Sequence, residues 1–245
     1  MRKMCKSKAV YKDTANIFSK EMWNQLIKAS AQIAEAQSPI PLGILNKNIC
    51  QNLLFTGEYE MPVVKPTLCN IPKEIIAFYQ IKRFKDKGYV PHFYTDDYKF
   101  ENVWSFPRKS LPTLMHCSEI ISTDFSVYED LLFPQKLWNI FRNKLLAAWW
   151  QYNGLKVIPN VSWIHGKDYS ISFDGWPKES VIAVNSTGVG NCCRCKSMWL
   201  EGYNAMLEIL KPTHILRYGV KIKGECESIS TYYRNDNKKF RNYGW

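Results

Sequence analysis

The sequence predicts an α/β fold with a mostly parallel sheet of βα units, and three observations carry that reading. First, four short apolar runs, each ending in polar residues, recur late in the chain: Glu-Ile-Ile-Ser-Thr-Asp-Phe-Ser (119–126), Lys-Val-Ile-Pro-Asn-Val-Ser-Trp (156–163), Val-Ile-Ala-Val-Asn-Ser-Thr-Gly (181–188) and His-Ile-Leu-Arg-Tyr-Gly (214–219). Second, helical patterns alternate with these runs, which is the signature of strands joined by crossover helices. Third, a chain of 245 residues fits one α/β domain with small appendages, long enough to bury a core without disulfides. Four to eight strands are expected, and a barrel-like closure is one arrangement such units adopt.

The elements follow in order. Residues 1–15 read as a basic flexible arm, and 16–74 as a helical and Pro-rich N-terminal extension. In that extension Ser19 caps a helix over 20–37, with Met22, Leu26, Ile33 and Ala34 near helical spacing. Ser38-Pro39-Ile40-Pro41-Leu42-Gly43 ends it, and Pro62, Pro66 and Pro72 block any long element before 75. The core domain spans 75–220. Its first strands are Ile75-Ile76-Ala77-Phe78-Tyr79 and Tyr89-Val90-Pro91-His92-Phe93-Tyr94, and residues 98–113 read as a loop. Pro134 opens a helix running to about Asn153, with Leu137, Trp138, Phe141, Leu145, Ala148 and Trp149 as its apolar face and Gly154 as its stop. A helix over 196–210 stops before Pro212, and residues 221–245 form a basic aromatic tail.

The net charge of +11 is unevenly spread. Residues 1–12 hold +5 and residues 221–245 hold +3, so the 208 residues between them hold only +3. Basic ends suit phosphates or another polyanion, and solvated termini explain them equally well. Candidate nucleic-acid contacts are Arg2, Lys3, Lys82, Arg83, Lys238, Lys239 and Arg241, the middle pair from a basic segment over 80–88. The N-terminus lacks the apolar stretch of a secretory signal, and no run nears the ~20 apolar residues that span a bilayer. A cytoplasmic protein with reduced thiols and no membrane partner is the expectation.

In such folds ligands sit at the carboxyl ends of the strands. The residues placed there are Asp124, Ser126, Asn160, Trp163, Asn185, Ser186, Thr187 and Tyr218. Asp124 is the catalytic candidate, because a carboxylate directly after a buried strand can act as base, nucleophile or ligand of a divalent metal. A helix N-cap is the competing role for Asp124, and Ser126 could take that role instead. Asp96 and Asp97 follow an earlier strand and either converge on Asp124 or serve a turn.

Other chemistry is less marked. Cys192, Cys193 and Cys195 look metal-like, but zinc normally takes two separated pairs and a second pair is missing. Three nearby thiols are also open to oxidation. Gly188-Val189-Gly190 lacks both the third glycine of a dinucleotide fingerprint and the Gly-Lys-Ser/Thr of a P-loop. No Gly-x-Ser-x-Gly elbow and no His-Glu-x-x-His pair is present.

The chain resembles the domain of unknown function 4417 family, found in bacteria, phages and other mobile elements. The resemblance rests on Thr-Asp-Phe-Ser-Val-Tyr (123–128), Lys-Leu-Trp-Asn-Ile-Phe-Arg (136–142), Trp-Trp-Gln-Tyr-Asn-Gly (149–154), Val-Ile-Pro-Asn-Val-Ser-Trp (157–163), Phe-Asp-Gly-Trp-Pro-Lys-Glu-Ser (173–180) and Tyr-Gly (218–219). It covers roughly 75–220 and departs at the cysteine-rich loop 191–195. It implies a mobile-element setting and assigns no residue a role. Two functions are therefore expected: a protein binding nucleic acid or a host macromolecular complex, or a metal-assisted phosphoryl-transfer or nucleotide-processing enzyme centred on Asp124.

Overall fold

Each apolar run becomes a short strand, and neighbouring residues on a strand part to opposite faces. The computed structural model describes residues 44–84, 89–166, 169–190 and 192–233. The chain divides into two compact units, 1–48 and 49–245, and every described strand and α-helix belongs to the second. The expected helix over 20–37 lies outside the described residues.

The strands are β1 (Phe55–Thr56), β2 (Met61–Pro62), β3 (Ile75–Ala77), β4 (Val90–His92), β5 (Glu119–Ile121), β6 (Lys156–Ile158), β7 (Val181–Asn185), β8 (His214–Tyr218) and β9 (Ser230–Tyr233). The helices are α1 (Ile81–Phe84), α2 (Glu101–Ser105), α3 (Pro107–Leu114), α4 (Phe133–Tyr152), α5 (Tyr169–Phe173) and α6 (Cys193–Leu210). Among the described residues, only the β1–β2 hairpin is antiparallel. β3 pairs with β4, β5 with β6, and β8 with both β7 and β9, all parallel. An isolated parallel bridge between Asn160 and Ala183 joins the β6 chain to β7. The α/β reading and the mostly parallel sheet are thus observed.

Among the described residues the ladders form four separate sheets, and they close no barrel. The reason is local. Just past the strands, side chains take over bonds that a ladder would make: Ser122 Oγ accepts the Asn160 backbone N–H at 2.8 Å. Two further expectations are corrected. The 44–74 part of the extension holds a 3-10 turn and the β1–β2 hairpin, with no α-helix. Residues 98–113 are not a loop but contain α2 and most of α3. Pro107 sits in the first turn of α3, where its missing N–H has no partner to lose. The helices also bury Val103, Trp104, Leu111 and Leu114.

The strand alternation sorts side chains into two cores. Ile120, Val157, Ile182 and Ile215 face one cluster, shared with Leu145, Leu146, Trp149 and Trp150 of α4 and Tyr203, Met206 and Leu210 of α6. Their neighbours Ile121, Ile158, Ala183 and Leu216 face another, completed by Ile75, Val90, Tyr94, Val181, Tyr218 and Tyr233. Every strand from β3 to β9 contributes to this second cluster. β9 itself was not legible as a strand, because Ser-Thr-Tyr-Tyr lacks an apolar run; its Tyr233 hydroxyl donates to the Pro72 carbonyl at 2.6 Å.

Helix α4 departs from its expected single apolar face. From Arg142 to Trp150 every residue is buried, Lys144 included. Helix α6 starts earlier than expected, with Cys192 as its N-cap. It ends at Lys211 in the left-handed conformation, with Pro212 after it.

Candidate functional site

The segment after β5 has no regular structure, so side chains must hold it. Asn143 of α4 grips Phe125 both ways: its Oδ1 accepts the Phe125 N–H at 2.9 Å and its Nδ2 donates to the Phe125 carbonyl at 3.2 Å. Asn139, one turn earlier, donates to the Ser126 carbonyl at 2.6 Å. Asp97 accepts both the Ser126 N–H, at 3.1 Å, and its hydroxyl, at 2.8 Å. Asp124 is thereby set beside two pinned residues at the carboxyl end of β5.

The Asp124 carboxylate accepts from two side-chain amides, one just past β6 and one at the end of β7. Asn160 Nδ2 donates to Oδ1 at 2.7 Å and Asn185 Nδ2 to Oδ2 at 2.9 Å. Neither amide can turn over. Asn160 Nδ2 also donates to the Thr123 carbonyl at 3.3 Å, which only accepts, while its Oδ1 takes the Tyr94 hydroxyl at 3.1 Å. Asn185 Oδ1 takes the Thr187 backbone N–H at 2.7 Å, which only donates. Both NH2 groups are therefore committed to facing Asp124. Among the described residues Asp124 accepts no backbone N–H, and α4 begins only at Phe133, so it does not cap a helix. Ser126 does not cap either, since its hydroxyl is spent on Asp97.

Burial pushes the Asp124 carboxyl above the usual range; the Asn185 and Asn160 bonds pull it back, and the Asp97 charge adds to the rise. The side chain stays partly exposed. Tyr94 remains a phenol, its pKa raised well above normal by burial and then by Asp124. Beneath the hub Tyr94 stacks on Tyr218 at 4.6 Å and on His92 at 4.8 Å. The hub is a fixed, partly desolvated carboxylate with an aromatic floor, suited to accepting donors or binding a cation.

The other candidates fall in different places. Ser186 is buried and donates to the Val220 carbonyl at 2.6 Å, holding the β7 and β8 loops together. Thr187 is exposed and contributes its backbone N–H. Tyr218 is part of the aromatic floor. Asp97 reaches the hub electrostatically, whereas exposed Asp96 pairs with Lys99 at 2.8 Å, so the three carboxylates do not converge. Among the described residues no group of three His, Cys, Asp or Glu side chains is arranged to hold a metal. Lys82 is exposed on α1. Arg2, Lys3, Lys238, Lys239 and Arg241, and the side chain of Arg83, lie outside the described residues.

Trp163 joins none of the hub's hydrogen bonds and packs against α6. It leans on Trp199 at 5.4 Å and on Phe173 at 6.4 Å, and it packs on the backbone of Gly202 in α6. A Cβ on Gly202 would overlap the Trp163 indole at Nε1. Gly202→Ala should gain about 1 kcal/mol in helix propensity and lose more to this overlap, a net loss of about 1–3 kcal/mol. A urea midpoint will show it, and Trp163→Ala in the same chain should remove most of the added loss. An unchanged midpoint for the single variant would mean that the indole is not seated there.

Sequence reasoning missed Tyr94 and the paired asparagines of α4. Asn139 and Asn143 stand four apart in a helix rich in large apolar residues, a spacing that puts two polar groups on one side of it.

The profile of the family described as Domain of unknown function (DUF4417) matches residues 54–235. The chain belongs to that family. The Gene 1 proteins of Mycobacterium phages D29 and L5 are each 30% identical to it over 176 residues. These matches cover 70% and 69% of this chain, and 64% and 76% of the phage proteins. The chain thus spans less than two thirds of the D29 protein. No solved structure matches. The family has phage members, and among the described residues no helix is long and apolar enough to cross a membrane.

Proposed function

We propose that this protein acts on nucleic acid, directly or within a host macromolecular complex, and that the Asp124 hub is its site. The observation that supports this reading is that both Asp124 oxygens are held by side-chain amides, Asn160 just past β6 and Asn185 at the end of β7. A capping or turn aspartate has no need of that. Such a carboxylate repels phosphate but accepts donors, including the exocyclic amines of bases. Phosphates are then left to the basic ends, with Arg2, Lys3, Lys238, Lys239 and Arg241, and to Lys82 and Arg83. In this arrangement 1–15 is the arm, 16–74 the extension, 75–220 the core and 221–245 the tail, in a cytoplasmic protein.

The test is binding of labelled DNA and RNA. Between about 50 and about 200 mM salt the affinity should fall on the order of 10³-fold. Deleting 1–12 and 234–245 together should remove most of it; the second cut starts after Tyr233 because Glu225 and β9 belong to the fold. Undetectable binding of the whole chain at low salt would overturn this reading.

A second reading, a metal-assisted phosphoryl-transfer or nucleotide-processing enzyme, is favoured by the Asp97 charge beside Asp124. Asp124→Asn discriminates. Relief of a desolvated charge offsets the one amide left facing another amide, so stability should move by no more than about 1 kcal/mol. If the hub binds metal, Mn2+ raises the Tm of the wild type and not of the variant. Equal behaviour of the two chains would exclude the metal site. Because the folded-state carboxyl titrates higher than an unfolded one, this residue makes wild-type stability fall as pH rises through that window, and the variant should lack this slope.

A further inference from the structure

The loop after β7 ends in Cys192-Cys193-Arg194-Cys195, where α6 begins. Cys192 is the N-cap, and its Sγ accepts the Cys195 backbone N–H at 3.3 Å. The sulfur therefore stands where a capping oxygen usually does. All three thiols are exposed and none is in a disulfide. The function argued for the Asp124 hub uses none of them.

The two ends of this tetrapeptide are not equivalent. The Cys195 thiol and backbone N–H donate to Cys192, and with Arg194 they hold its thiol below the ordinary range. The same thiol–thiol bond pushes Cys195 upward. The positive end of an 18-residue helix adds to the preference for thiolate at Cys192. As N-cap, Cys192 turns its sulfur back over the first turn to reach the Cys195 N–H at 3.3 Å, which sets the two side chains close to the roughly 4 Å Cβ separation of a disulfide. Cys193 neighbours neither partner in this way, since residues one or two apart do not face each other.

We propose that Cys192 and Cys195 are a redox-active dithiol that exchanges with low-molecular-weight disulfides, Cys192 attacking and Cys195 resolving. In the first step the Cys192 thiolate attacks one sulfur of R–S–S–R. A Cys192–S–S–R bond forms, and R–S− leaves and takes a proton from solvent. In the second, Cys195 loses its proton to solvent and attacks Cys192 Sγ. The mixed disulfide breaks, a second R–S− leaves, and the Cys192–Cys195 bond closes. The protein dithiol is oxidised by two electrons and the small disulfide is reduced to two thiols. Excess thiol runs the sequence backwards.

The whole chain, reduced and freed of reductant, tests this in two ways. Timed iodoacetamide labelling near pH 7, read by peptide mass spectrometry, should modify Cys192 about tenfold faster than Cys193. Incubation with oxidised glutathione should give a Cys192–Cys195 disulfide. In Cys195→Ser the glutathione should remain trapped on Cys192, in Cys192→Ser no intramolecular disulfide should form, and Cys193→Ser should behave as wild type. All three side chains are exposed, so an unchanged Tm is the control that the variants fold. Equal labelling of Cys192 and Cys193, a disulfide that includes Cys193, or glutathione accumulating on Cys193 would overturn the assignment.

Discussion

Arg217→Met should lower the unfolding free energy by about 3–5 kcal/mol, because it strands a buried carboxylate. Arg217 and Glu225 have side chains only 1% and 0% exposed. The guanidinium meets the carboxylate with two bonds, Nε to Oε2 at 2.6 Å and Nη2 to Oε1 at 2.7 Å. Its Nη1 also donates to the carbonyls of Val184, at 2.8 Å, and Tyr218, at 3.1 Å. Among the described residues, removing the cation leaves Glu225 with the Tyr232 hydroxyl and the Ile222 N–H as its donors. It also takes one donor each from the Val184 and Tyr218 carbonyls, the second of which keeps the Ser186 N–H at 2.9 Å. The effect reaches the hub, because Arg217 lies over Trp199 at 4.6 Å and the Trp199 indole donates to the Asn185 carbonyl at 3.1 Å. Urea denaturation measures the loss. Replacing Glu225 by Leu in the same chain should recover most of it, since the penalty lies in the unpaired charge. A single variant within about 1 kcal/mol of wild type would mean that water reaches the pair.

Lys144→Met should stabilise the protein, and more so at lower pH. Lys144 is fully buried in α4 and donates to the Ser172 carbonyl at 2.8 Å, beside the Trp176 ring. Burial lowers its pKa to about 7, against a partial opposing pull from Asp174. The folded state therefore gives up a proton that the unfolded chain keeps until about 10.5. The charge penalty is complete below about pH 7 and fades as pH rises toward 10.5, so wild-type stability rises across that interval. The thioether fills similar volume without the charge, and the Ser172 bond is lost in exchange. The net gain near pH 6 should be roughly 2–3 kcal/mol. Denaturation midpoints of both chains at about pH 6 and pH 10 decide it. A gain of the same size at both values would show that the amine does not titrate in that window.

Strands β5 to β8 were legible because apolar runs of three to five residues have few other uses. The errors share one cause. Over 98–113 the segment with two prolines read as a loop, yet Pro107 falls in the first turn of α3, where it breaks nothing, and burial of Trp104, Leu111 and Leu114 favours the helical form even with Pro112 inside it. In α4 the polar residues Asn139, Arg142, Asn143 and Lys144 implied a wet face. Each is instead spent on a tertiary partner: Ser126, Glu101, Phe125 and Ser172 respectively. A one-dimensional pattern records polarity, but not whether a partner arrives from elsewhere in the chain.

The candidate site divides along the same line. Asp124, Asn160 and Asn185 could be named as rim residues from sequence, because each directly follows or ends an apolar run and parallel strands bring such ends to one side. Their mutual bonding could not, since it joins residues 36 and 61 positions apart. Trp163 was assigned to the same rim by the same rule; what the rule could not give is its packing on Gly202 and Trp199. The α/β class, the direction of the sheet and the hub carboxylate follow from short-range periodicity along the chain. That Asp124 caps no helix, that Tyr94 completes the hub and that Arg217 and Lys144 are buried emerges from packing. Those outcomes depend on which polar groups meet once the strands are packed, and hydrogen bonds across a core are set by distance in space, not along the chain.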